Sequence, residues 1–152
     1  MLKLLATLLV SSLLIIACND ESATKTKTAD ELMLDSLNKD VDDGHIAGMS
    51  KMGKLNRLQQ RVKVMIDSID QLPAQAKTKL ADYRQKLDTT LKQLDYADFA
   101  MNKWMSEFKM DSAVNNTKAR IRYLADEKIK VDNMKDAILN SIRRADSLFG
   151  SK

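Results

Sequence analysis

His45 is the only histidine in the chain, and Met49 and Met52 follow it at steps of four and three. On a helix these three side chains share one face. Met101, Trp104 and Met105 repeat the arrangement later in the sequence, with Phe108 one turn further on. Imidazole nitrogen and thioether sulfur suit a soft ion such as Cu(I), and an indole face attracts a cation. His45, Met49, Met52, Met101 and Met105 therefore define a candidate soft-metal (copper) site. The competing reading is packing. Methionine fills irregular gaps between helices, Trp104 and Phe108 are natural core aromatics, and His45 falls on an apolar seam.

Little else in the chain has the spacing of a reactive site. A single histidine excludes paired-histidine metal sites, and no Ser/His/Asp arrangement or glycine-rich phosphate loop is present. The segment 38–44 (NKDVDDG) has the acidic character of a calcium loop. Its glycine falls one position late, however, and position twelve is Met49 rather than glutamate. It reads as a solvated acidic patch. No catalytic residue is assigned, and the expected activity is non-enzymatic.

The elements that position these residues are long helices. Glycine (4) and proline (1) are scarce while 44% of residues are hydrophobic, so little in the chain breaks a helix. Thr28 and Glu31 have capping-box spacing. From there one stripe runs Leu34, Leu37, Val41, His45, Gly48, Met52, Leu55, Leu58, Val62, Met65, Ile69 and Leu72, at steps of three or four. Gly44, Gly48 and Gly53 should weaken this helix locally, by about 1 kcal/mol each relative to alanine. Pro73 ends it and suits the first position of the next helix.

A second stripe comprises Leu80, Tyr83, Leu87, Leu91, Leu94, Ala97, Met101, Trp104 or Met105, and Phe108. After a turn ending at a cap on Asn116, a third holds Ile121, Leu124, Val131, Met134, Ile138, Ile142, Ala145 and Leu148. Helices are expected over about 29–71, 73–109 and 116–149. Short connections make such helices antiparallel. The expected fold is all-α: an up-down-up three-helix bundle with coiled-coil-like packing over residues 29–152. An open or homo-oligomeric coiled coil is the alternative. Counting back from the turn at Leu72 sets Met101 level with about residue 43, beside His45. Glu127 and Tyr123 of the third helix should reach the same level and offer His45 a hydrogen-bond partner.

The first 17 residues have the composition of a secretory signal: Lys3, then an almost wholly apolar run from Leu4 to Ala17. That run is too short to span a bilayer, which takes about 20 residues. Ile15-Ile16-Ala17-Cys18 resembles a bacterial lipobox, which implies cleavage before Cys18 and acylation of its thiol. Two or more acyl chains give stable attachment. The competing readings are an ordinary signal peptide followed by an incidental cysteine and a membrane-anchored helix that is never cut. Residues 18–28 lack apolar periodicity and read as a flexible tether, reaching at most about 35 Å.

The groups His45-x-x-x-Met49-x-x-Met52 and Met101-x-x-Trp104-Met105-x-x-Phe108 resemble small helical lipoproteins of the Bacteroidota. These are often labelled "viral A-type inclusion protein", a name that describes coiled-coil-like composition. The resemblance spans roughly Asp35 to Ile142 and implies a helical lipoprotein with no established activity. Asn19-Asp20-Glu21 is similar to the acidic surface-export signals of such lipoproteins, in short form.

The net charge of +4 is dispersed along the chain, so no basic block argues for nucleic acid. The reading that follows is an envelope lipoprotein, held by its lipid at the periplasmic face or the cell surface of the outer membrane. Its bundle would engage a protein partner as an interaction or structural module. A periplasmic copper-binding protein and a regulator or inhibitor of an envelope enzyme are the alternatives.

Overall fold

The computed structural model describes residues 26–150. The signal segment 1–17, Cys18 and the tether as far as residue 25 lie outside the described residues. All regular structure among the described residues is helical: α1 (Ala29–Asp70), α2 (Ala74–Lys79), α3 (Ala81–Glu107) and α4 (Thr117–Leu148). No helix among them is long and apolar enough to cross a membrane.

The caps form as their residue types require. Thr28 Oγ1 accepts from the Glu31 backbone N–H at 3.3 Å, and the Glu31 carboxylate accepts from the Thr28 N–H at 2.7 Å. Two N–H groups with no partner inside the helix are thereby satisfied. Asn116 caps α4, its Oδ1 accepting from the Ala119 N–H at 3.0 Å.

One helix was expected over 73–109, and the chain forms two. The break falls at Leu80, which leaves the helical region with φ −103° and ψ 6°. α2 buries none of its residues, so no packing holds it in line with α3. The Thr78 hydroxyl also donates back to the Ala74 carbonyl, a bond that tends to bend a helix. The bend leaves Leu80 packed on the core. Leu72, placed on the first stripe, is exposed beyond the end of α1. Ile66 is buried, whereas its neighbour Met65 is only half-buried.

α1, α3 and α4 pack against one another in all three pairings around a single core. Named contacts give the register. Along α1, His45, Gly48, Gln59 and Asp70 meet Trp104, Met101, Asp95 and Arg84 of α3, in descending order. Along the same helix, Asn38, Gly44, Gly48 and Lys54 meet Arg120, Val131, Ile138 and Asp146 of α4, in ascending order.

Two of the glycines read as weak points are points of close approach. A Cβ on Gly44 would lie 3.0 Å from Val131 Cγ1. A Cβ on Gly48 would lie 2.8 Å from Met101 Cε and 3.1 Å from Met134 Sδ. Spaced four apart, both face the core, and their missing side chains let α1 settle against α3 and α4. Gly53 is different: its position is open, and Arg57 Nη1 at 3.8 Å is its nearest neighbour. Thr90 and Ser141 are buried polar residues, and their hydroxyls donate to their own helix, to the Lys86 and Ile138 carbonyls.

Candidate functional site

Near the start of α1, four aromatic rings form a ladder through the seam. His45 lies 5.1 Å from Trp104 with its ring tilted 39°. Trp104 stacks on Phe108 at 4.9 Å, and Phe108 stacks on Tyr123 at 6.1 Å. The Arg120 guanidinium lies 5.5 Å from the Tyr123 ring centre, within cation–π range. Trp104 is buried, and Phe108 is half-buried against the core.

Glu127 is the one acidic side chain in that core, 3% exposed. Its Oε2 accepts from the Trp104 indole N–H at 3.0 Å, and its Oε1 accepts from Lys130 Nζ at 2.7 Å. A buried carboxylate is tolerated when donors replace its water. Because Glu127 is engaged there, it does not partner His45. Tyr123 does not either: its hydroxyl accepts from the Lys109 N–H at 2.6 Å. The expectation that one of them would satisfy His45 is corrected. His45 Nε2 is buried without a hydrogen-bond partner.

The candidate thioethers are distributed unevenly. Met101 is fully buried with its methyl against Gly48, and Met52 is half-buried against the core. Met49 and Met105 are 43% and 42% exposed. Met101 is thus level with the His45 turn, and on α3 it is Trp104 that faces His45. Among the described residues, no three His, Cys, Asp or Glu side chains group as a metal site would require.

A second feature lies between α3 and α4. Three adjoining clefts of about 590, 360 and 270 Å³ run along this pair of helices. Thr89, Gln93 and Arg144 line the first two, and Tyr96 lines the second and third. No residue of α1 lines any of them. Tyr96 and Phe99 line the third cleft, 62% and 59% exposed, together with the buried Trp104.

The walls carry Lys86, Lys92, Lys103, Lys130, Arg143 and Arg144 against a single carboxylate, Glu107. Lys103 pairs with Glu107, which holds the Glu107 carboxyl below its ordinary range. Lys130 pairs with Glu127. Among the described residues, Lys86, Lys92, Arg143 and Arg144 form no ion pair. In a chain whose basic and acidic residues number 25 and 21, this groove is distinctly basic.

Tyr96 and Phe99 lie off the apolar stripe of α3, so periodicity does not pick them out. That position was itself a signal, since aromatics three apart on the polar side of a helix must face solvent. No sequence pattern marked Glu127 as the acceptor for Trp104. No protein-family model matches the chain, and no curated protein or solved structure matches it either.

Proposed function

We propose that this chain is a non-enzymatic envelope lipoprotein. Its lipid is carried by Cys18, and its three long helices form an antiparallel up-down-up bundle that serves as an interaction module. The observation carrying the interaction reading is the α3–α4 groove. There two large aromatics, Tyr96 and Phe99, remain in water. Exposed aromatic and arginine residues grouped in a concave surface are what protein interfaces use as anchors. The opposite succession of contacts along α1 with α3, and the like succession with α4, support the bundle. The aliphatic–x–small–Cys pattern at Ile15-Ile16-Ala17-Cys18 supports the anchor, which places the protein at the periplasmic face or the cell surface. A regulator of an envelope enzyme is one form such a module takes.

Fractionation of the producing cells tests this reading. Wild-type protein should stay with the membranes through high-salt washing and be released by detergent. The Cys18→Ala variant should lose that association or persist as an uncleaved precursor. A washed-off wild type would refute the anchor.

The unpartnered His45 Nε2 favours a second reading, a soft-metal site in which His45 and Met101 take Cu(I) with help from Met49, Met52 or Met105. Trp104 touches His45 and is the only tryptophan, so bound copper would quench its emission. Titration of the reduced protein with Cu(I) against a competing chelator distinguishes the cases. Saturable quenching lost in His45→Ala and Met101→Leu would support the site. An undiminished response in both variants would leave these residues to packing.

A further inference from the structure

Resting on the interaction reading above, we propose that the α3–α4 groove receives an amphipathic, acidic helix of a partner protein. The clefts extend along α3 from Gln85 to Glu107, about 33 Å at the helical rise, the length of a helix of about 22 residues. Adjoining clefts between two helices, with no residue of α1 in their walls, lie where a fourth helix would pack in a bundle.

On the floor of the clefts Thr90 and Ser141 are short and buried, and Ala100 and Ala137 beside them are partly buried. Both hydroxyls already donate to their own helix, so the floor asks nothing polar of an occupant and lets a backbone come close. Tyr96 and Phe99 stand at mid-length, where interface anchors concentrate, and charged groups form the rim. The rim cations outnumber the rim carboxylate six to one, and four of them have no ion-pair partner among the described residues. An occupant with an apolar stripe at i, i+3, i+4 and i+7 flanked by Asp and Glu matches both features. A basic or neutral helix would leave those cations opposed or unanswered, which selects against it.

The test uses the full chain in its own cells, with a photo-reactive amino acid at Phe99 in the groove or at Ile46 on the outer face of α1. Both positions are exposed, so neither probe disturbs the core. Mass spectrometry then maps the cross-linked segment. The expected result is a Phe99 adduct within a partner segment of helical apolar spacing and excess acidic residues. That adduct should be lost when Arg143 and Arg144 are both changed to Glu. It should be retained when Lys51 and Lys63, exposed on α1, are changed to Glu.

Four outcomes would overturn the proposal: no adduct at Phe99, an adduct on a second copy of this chain, an adduct on a basic segment, a glycan or a lipid, or equal loss from either pair of reversals. Circular dichroism of each variant separates loss of binding from loss of fold. A protein adduct at Ile46 with none at Phe99 would remove the groove while leaving the interaction reading in place.

Discussion

The indole N–H of Trp104 and the carboxylate of Glu127 meet at 3.0 Å across the α3–α4 interface. The pair fixes the orientation of the largest side chain in the core and explains how a nearly inaccessible carboxylate is accommodated. Lys130 supplies the countercharge from the surface side at 2.7 Å.

Removing the acceptor should therefore cost more than altering it. Glu127→Ala leaves the Trp104 N–H buried without a partner and opens a void, at a cost of about 2–3 kcal/mol. Glu127→Gln retains a carbonyl oxygen for the indole and should cost about 1 kcal/mol. Urea unfolding followed by Trp104 fluorescence would measure both. Equal midpoints for the two variants would show that the hydrogen bond is not what holds this side chain.

The glycines of α1 separate propensity from packing. Gly53→Ala has room for its methyl and should stabilise the protein by up to about 1 kcal/mol through helix propensity. Gly48→Ala places a methyl into Met101, Met134 and Ile138 together. Overpacking of this kind costs about 1–3 kcal/mol, which outweighs the propensity gain. Thermal melts of the two variants should move in opposite directions, and movement in the same direction would show that the Met101 and Met134 side chains yield to the added methyl at little cost.

Much of this architecture was legible in the residue pattern because it follows from periodicity. The capping box at Thr28, the cap at Asn116 and the three apolar stripes need only the sequence and the helical repeat. The break at Leu80 was not legible, since it reflects the absence of packing on α2 rather than any helix-breaking residue. The roles of Gly44 and Gly48 depend on what lies across the interface, which a stripe does not specify. The His/Met grouping was visible as spacing on single helices, but spacing did not say that Met49 and Met105 would face water. The α3–α4 groove was the least legible feature, because it arises from two helices seen together.

Acid should expose the ion pairs between adjacent turns of α4. Asp132 accepts from Lys128 and from Lys135, each at 2.6 Å, and these bonds hold its carboxyl below the ordinary range, with Lys128 contributing most. A depressed carboxyl pKa contributes stability that is present above the unfolded value of about 3.9 and is lost as pH falls through the folded one. Asp132→Asn should thus be less stable than wild type near neutral pH, by a margin that shrinks as pH falls towards about 2. Denaturant midpoints at both pH values would check this, and a difference that persists unchanged in acid would contradict it.

The central claim is that a lipid on Cys18 ties this helical module to the envelope, and the mass of the mature N-terminal peptide tests it most directly. Protein purified from membranes with detergent, digested and analysed by mass spectrometry should yield a peptide beginning at Cys18. That peptide should carry the added mass of acyl chains, and no peptide from residues 1–17 should accompany it. A mature protein beginning at Met1, or one containing an unmodified Cys18 thiol, would contradict the account.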